Sequence, residues 1–171
     1  TSNNFIGIGE VGIDLYWDQT FLKEQKIAFE KQLNWAKKYN LPIVIHSRNS
    51  FDEIYSILKK QKCDDLKGVF HCFTGDLKQA KKIIDLGLFL GIGGVLTFKN
   101  SKLDEVIKKI SIKHLLIETD APYLSPSPHR GKRNKPEFLS IIAHKICELK
   151  NKRRKLWKNY KPGLAVRTCL L

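Results

Sequence analysis

Two histidines and three acids stand at the ends of apolar runs: Glu10 closes FIGIGE, His46 closes PIVIH, His71 closes KGVFH, and Glu118 and Asp120 close HLLIETD. Imidazole suits zinc and similar ions, and carboxylates can bridge a pair of harder ones. Gathered around one opening, these side chains form a set that can hold divalent metal. Each alone means little. A His at a strand end usually hydrogen-bonds a loop, and a terminal Glu or Asp often caps a helix or meets solvent. Their joint occurrence at four strand ends carries the metal reading. His114 begins its run rather than ending it and is not expected to be a ligand, and His144, inside the last helical stretch, is read as structural.

The elements that must position these residues alternate. Residues 5–10, 42–46, 67–71, 88–94 and 114–120 read as short strands bounded by Gly, Pro or polar residues. Between them, 20–39, 50–61, 76–86 and 101–110 place apolar residues at helical intervals, as in Phe21, Ile27, Phe29, Leu33 and Ala36. Nearly all-apolar strands separated by helices imply a parallel sheet with a covered face, either an open doubly wound sheet or a (β/α) barrel. In both, active sites form at the C-terminal strand ends, where the four candidate ligands Glu10, His46, His71 and Asp120 stand. Alternation along LLIETD is expected to put Glu118 and Asp120 on one face of their strand.

Length and composition set the frame. A chain of 171 residues, 42% hydrophobic, suffices for one well-buried domain. No apolar run approaches the roughly 18 residues of a membrane span, and TSNNFIGIGE has neither the basic segment nor the cleavage site of a signal peptide. A cytoplasmic protein without membrane association or an obligate protein partner is expected. Cys63, Cys72, Cys147 and Cys169 form no Cys-x-x-Cys pair and are read as thiols. The net charge of +14 suggests nucleic acid, but eight of the cations lie among residues 150–171 (Lys150, Lys152, Arg153, Arg154, Lys155, Lys158, Lys161, Arg167), which hold no acid. That segment lacks a sustained helical period and contains a Pro-Gly break. It is read as a poorly ordered appendage to a domain spanning 1–149.

The stretches IGEVGIDLYW, LPIVIHSRN, GVFHCFTG and LLIETDAPYLSPSPHRGKRNKP resemble, in order, the signatures of the TatD family of metal-dependent deoxyribonucleases. The resemblance covers roughly residues 5–149. It implies a (β/α)8 TIM barrel of the amidohydrolase-like kind that hydrolyses DNA phosphodiesters, often as a 3′ exonuclease and preferably on single strands, with two divalent ions (Mg, Mn or Zn). By motif, Glu10 corresponds to the metal-bridging glutamate, His46 and His71 to the metal-binding histidines, and Asp120 to the acid that binds metal and positions the attacking water. Glu118 is then expected to orient a ligand from behind. Arg130, Lys132 and Arg133, directly after that strand end, are placed to contact phosphates, with Arg48 a weaker candidate of the same kind. Tyr123 and Phe73 offer rings for base stacking or for core packing.

The chain also departs from the family pattern. No His-x-His occurs, and the first histidine is His46. The resemblance therefore implies that about five of eight β/α units are present and that on the order of 80 residues precede them in an intact member. The absence of methionine fits a fragment. Such an open sheet is expected to be poorly stable, and without the His-x-His ligands the surviving Glu10, His46, His71 and Asp120 are expected to hold at most one metal ion, weakly. The basic tail reads as a frameshift, a mis-spliced end or a vector-derived sequence. Two alternatives stay beside the nuclease reading: a catalytically impaired fragment, and a hydrolase of another ester or amide on the same barrel.

Overall fold

The computed structural model describes residues 5–61 and 65–151. By residue contacts the chain divides into two compact units, Thr1–His71 with Lys81–Phe89 and Cys72–Ala80 with Leu90–Leu171.

In the first unit, β1 (Ile8–Asp14), β2 (Ile43–Arg48) and β3 (Gly68–Phe70) run parallel in chain order. They alternate with α1 (Leu22–Lys38) and α2 (Phe51–Lys60). Both helices carry acids in the first turn (Glu24; Asp52, Glu53) and lysines in the last (Lys37, Lys38; Lys59, Lys60), as the helix dipole favours. Phe29, Leu33 and Ala36 form the buried stripe of α1, which packs on β1, while Ile54, Ile57 and Leu58 form that of α2. Phe21 and Ile27, expected on the apolar face of the first helix, are instead exposed. Phe21 precedes the helix, and Ile27 falls off the stripe.

The first strand is displaced from its expected span. Phe5 and Ile6 are exposed and lie outside it, whereas buried Val11, Ile13 and Leu15 extend the alternation past Glu10. Glu10 therefore sits inside β1, and His46 likewise lies inside β2, because Ser47 and Arg48 pair with Ile13 and Asp14. Between Ile8 (opposite Ile43) and Val11 (opposite Ile45) the register shifts, so that Gly9 and Glu10 face Val44 alone. This is a bulge of the kind that re-aims side chains near active sites.

In the second unit, β4 (Phe89–Ile92) and β5 (Leu115–Ile117) pair in parallel through Leu90–Leu115, Gly91–Leu116 and Ile92–Ile117. The division between the units falls inside α3 (Leu77–Asp85), and α4 (Leu103–Lys109) and α5 (Leu139–Leu149) follow. The last helix, α5, packs on α4 and β5 and buries Ile142, Ala143, Ile146 and Cys147. His144 is exposed on α5, and His114 ends a 3₁₀ turn before β5. The strand expected over 88–94 stops at Ile92, where Gly93 and Gly94 admit a 3₁₀ turn, Gly94–Thr97. The strand expected over 114–120 is shorter still. The Glu118 N–H continues the ladder to the Ile92 carbonyl (3.1 Å), but Asp120 has a φ of 56°, so strand alternation does not extend to it. Of the basic segment, Lys150 is tied to the end of α4 through the Lys108 carbonyl (3.1 Å). Residues 152–171, with the expectation made for them, lie outside the described residues, as do Cys63 and Cys169. No described helix is long and apolar enough to cross a membrane.

Gly12 stands opposite His46 with a φ of 154°, and a methyl group on it would come within 1.9 Å of the His46 carbonyl oxygen. Gly12→Ala is therefore expected to destabilise the chain by about 1–3 kcal/mol through forced separation of β1 and β2. Urea denaturation measures this. An unchanged midpoint would show that the two strands are not held at this spacing.

Candidate metal centre

The side chain of His46 projects between two carboxylates of the neighbouring strand. Its Nδ1 lies 2.9 Å from Glu10 Oε1, and its Nε2 lies 2.9 Å from Asp14 Oδ2. Glu10, Gly12 and Asp14 share one face of β1 by parity. The residue opposite His46 carries no side chain, so the acids before and after it reach the ring from both sides. His71, just past β3, brings its Nε2 to 3.7 Å from the same Glu10 Oε1. One carboxylate oxygen thus faces two imidazole nitrogens.

The strand carrying these acids is fixed at its end. The Asp14 N–H donates to Gln25 Oε1 (2.8 Å), and Gln25 Nε2 donates back to the Asp14 carbonyl (3.1 Å), joining β1 to α1. The buried Ser50 hydroxyl donates to the Ile13 carbonyl, and the Leu15 N–H to the Arg48 carbonyl (2.9 Å). Asp14 Oδ1 accepts the Tyr16 N–H (2.9 Å), which turns the chain and leaves Oδ2 for His46.

The charges reinforce one another. The hydrogen bond from His46 holds the Glu10 carboxyl below its ordinary range against the opposing effect of burial, with the field of His71 adding to it. The hydrogen bond to Glu10 raises His46, again against burial, and Asp14 adds to the rise. At Asp14 burial acts upward but is outweighed by the Tyr16 N–H, by His46 and by the charge of Arg48. The two carboxylates thus favour the protonated form of the ring over the neutral one. One carboxylate and two imidazoles meeting at one oxygen, partly open to solvent, suit a divalent cation, which would take the place of the proton that His46 Nδ1 shares with Glu10.

Glu118 and Asp120 belong to the second unit. Glu118 is buried, and its Oε1 accepts the N–H of Cys72. A methyl group on Gly91 would meet Glu118 Oε1 at 2.7 Å, so glycine gives this carboxylate its room. Asp120 is half-buried, and its carbonyl accepts the Tyr123 N–H (2.8 Å). The loop that follows is built around Asn134, which is buried. Its Nδ2 donates to the Thr119 and Tyr123 carbonyls (2.6 Å each), and its N–H to that of Pro122 (3.0 Å). Ser125 Oγ donates to the Lys132 carbonyl (2.6 Å), and His129 stacks on Phe138 with 4.3 Å between ring centroids. On this frame Arg130, Lys132 and Arg133 are exposed, with the Arg130 guanidinium 3.7 Å over the Phe98 ring. Arg48 stacks 3.6 Å from the Tyr16 ring in the first unit. Tyr123 is exposed, but Phe73 is buried and packs in the core, which leaves it no face for a base.

Sequence reasoning missed Asp14 and Asn134. Asp14 reads as the acid that opens a turn in GIDLYW, and only its parity with Glu10 along an extended strand places it beside a histidine. Asn134, among cations in GKRNKP, offered no signal.

The profile of the family described as TatD related DNase matches residues 1–160. The chain is 43% identical over 146 residues to the uncharacterized metal-dependent hydrolase YabD of Bacillus subtilis, covering 85% of this chain and 57% of that one. It is 33% identical over 154 residues to the uncharacterized metal-dependent hydrolase TatD of Mycobacterium tuberculosis, covering 86% and 58%. Among solved structures, the TatD homologue YjjV of Escherichia coli superposes with a TM-score of 0.83 at 34% identity, over 88% of this chain and 58% of that one. The chain thus spans little more than half the length of the relatives it matches.

The Glu10–His46 pair predicts a stability window in chelator. A raised His46 contributes stability that is complete below its ordinary value of 6.5 and is lost as pH rises through the folded value. A lowered Glu10 contributes stability that is present above 4.5 and is lost as pH falls through its folded value. Urea denaturation of the chelated chain should therefore peak between these limits, and His46→Gln should remove the decline above pH 6.5. Superimposable profiles for the two chains would show that the pair contributes no stability.

Proposed function

The chain belongs to the TatD related DNase family, and from that premise we propose that it contributes the metal centre of a hydrolase that cleaves DNA phosphodiester bonds, as a 3′ exonuclease acting on single strands. The observation that carries this reading is the meeting of His46 Nδ1 and His71 Nε2 at Glu10 Oε1, a ligand set drawn from β1, β2 and the residue just past β3.

In this reading Glu10, His46 and His71 hold a divalent ion (Mg, Mn or Zn). When bound, the ion supplies a lowered pKa for its water and offsets charge on the phosphoryl oxygen. The family pattern implies two such ions, whereas the residues that converge in this chain provide for one. By the family's motif, Asp120 would be the acid that takes the proton of the attacking water. Glu118, buried and accepting the Cys72 N–H, holds the start of the segment Cys72–Ala80. Arg130, Lys132 and Arg133 are exposed on a loop whose own hydrogen bonds hold it in place, and they meet backbone phosphates without reading sequence.

The test is degradation of a 5′-labelled single-stranded oligonucleotide by the chain in Mn²⁺ or Mg²⁺, beside calorimetry with Zn²⁺. The expected result is shortening from the 3′ end that chelator abolishes and that Asp120→Asn reduces about 10²- to 10⁴-fold. Calorimetry should show no more than one ion, lost in Glu10→Gln. Cleavage of a p-nitrophenyl ester but not of DNA would move the reading to another hydrolysis on the same fold. Zn²⁺ binding without turnover of any substrate would make this stretch a metal-binding fragment.

A further inference from the structure

From its geometry we infer that Asp14 is a positioning residue for the metal centre: its Oδ2 holds the Nε2–H of His46 so that Nδ1, on the other side of the ring, is the nitrogen presented to the cation. The inference rests on the metal reading above and adds to it a residue and a tautomer.

An imidazole that binds a cation uses one nitrogen as a lone-pair donor and keeps its proton on the other. Which nitrogen does which is set by the partner of the N–H. His46 has a carboxylate 2.9 Å from each nitrogen, so either could in principle face the ion. The surroundings of the two carboxylates break the tie. Glu10 Oε1 also faces His71 Nε2 at 3.7 Å, so a second imidazole converges on the Nδ1 side. Asp14 has no second imidazole, and its other oxygen is already engaged by the Tyr16 N–H at 2.9 Å. Its backbone is held at both polar atoms by Gln25, and its place opposite Arg48 fixes it along the strand. A carboxylate so restrained can accept one N–H in a set direction, which is what orienting a ligand requires. A merely structural acid at this turn would need only the Tyr16 contact.

Zn²⁺ calorimetry and ¹⁵N NMR of the imidazole rings, on wild type, Asp14→Ala and Asp14→Asn, test this. Zn²⁺ should move the His46 Nδ1 resonance to that of a metal-bound nitrogen and leave Nε2 protonated. Asp14→Ala should weaken Zn²⁺ binding about 10- to 100-fold, and Asp14→Asn, whose amide oxygen still accepts the N–H, should restore much of the loss. Circular dichroism confirms the fold of each variant, and if Asp14→Ala does not fold, the asparagine variant and the wild-type spectrum decide. Metal on Nε2 would make Asp14 a ligand and overturn the inference alone, as would an alanine variant that binds Zn²⁺ like wild type. Histidine resonances unmoved by Zn²⁺ in the wild type would overturn the metal reading and this inference together.

Discussion

The clamp on His46 is the constraint to which the first unit is fitted. Two carboxylates four residues apart on one strand can grip a ring from the next strand only under three conditions. The intervening residue on that face must have no side chain, the strands must stay in register, and the nearer acid must be turned toward the ring. Gly12 meets the first condition, the pairing of Gly12 with His46 and Asp14 with Arg48 the second, and the bulge at Gly9 and Glu10 the third. The remaining contacts nearby, Gln25 to the Asp14 backbone and Ser50 to the Ile13 carbonyl, hold β1 where the clamp needs it.

Stability alone does not explain this arrangement. Side-chain exposure is 35% for His46, 40% for Glu10 and 35% for Asp14, and ion pairs this open contribute about 0–1 kcal/mol each. The buried apolar stripes of α1 and α2 against β1 and β2 are the larger source of stability. Two carboxylates set on opposite nitrogens of one imidazole, by a strand that is bulged and opened with glycine, make sense when the ring has a use beyond stability.

The sequence made the alternating strands and helices legible, and it singled out Glu10, His46 and His71, which the fold brings together, because each rests on a local property: an apolar run, a helical period, or a chemically distinctive residue at the end of a run. It misled where pairing between strands overrides local pattern. Glu10 looked terminal because it is the polar residue that closes the run FIGIGE, yet Val11, Ile13 and Leu15 carry burial onward and make Asp14 the last residue of the strand. At the other end of the chain, alternation was extended through TD to Asp120, whereas the positive φ of that residue turns the backbone out of the strand. Asn134 could not be found at all, since its role lies in donating to carbonyls of a loop that must fold first.

The donor set and the basic loop answer different questions. Imidazole and carboxylate together favour zinc or manganese over calcium, so the proposed Glu10, His46 and His71 set bears on which metal would bind. Nothing in those three residues selects a phosphodiester over an ester or amide, because a bound cation polarises any of them. Substrate choice must come from groups that recognise the rest of the molecule. On this chain the group with the matching chemistry is the exposed trio Arg130, Lys132 and Arg133. Their loop is tied by the buried side chain of Asn134 to the Thr119 carbonyl, next to Asp120, so the segment suited to phosphate and the acid proposed to take the proton are parts of one hydrogen-bonded structure. The proposed nucleic-acid substrate therefore leans on these three cations rather than on the net charge of the chain.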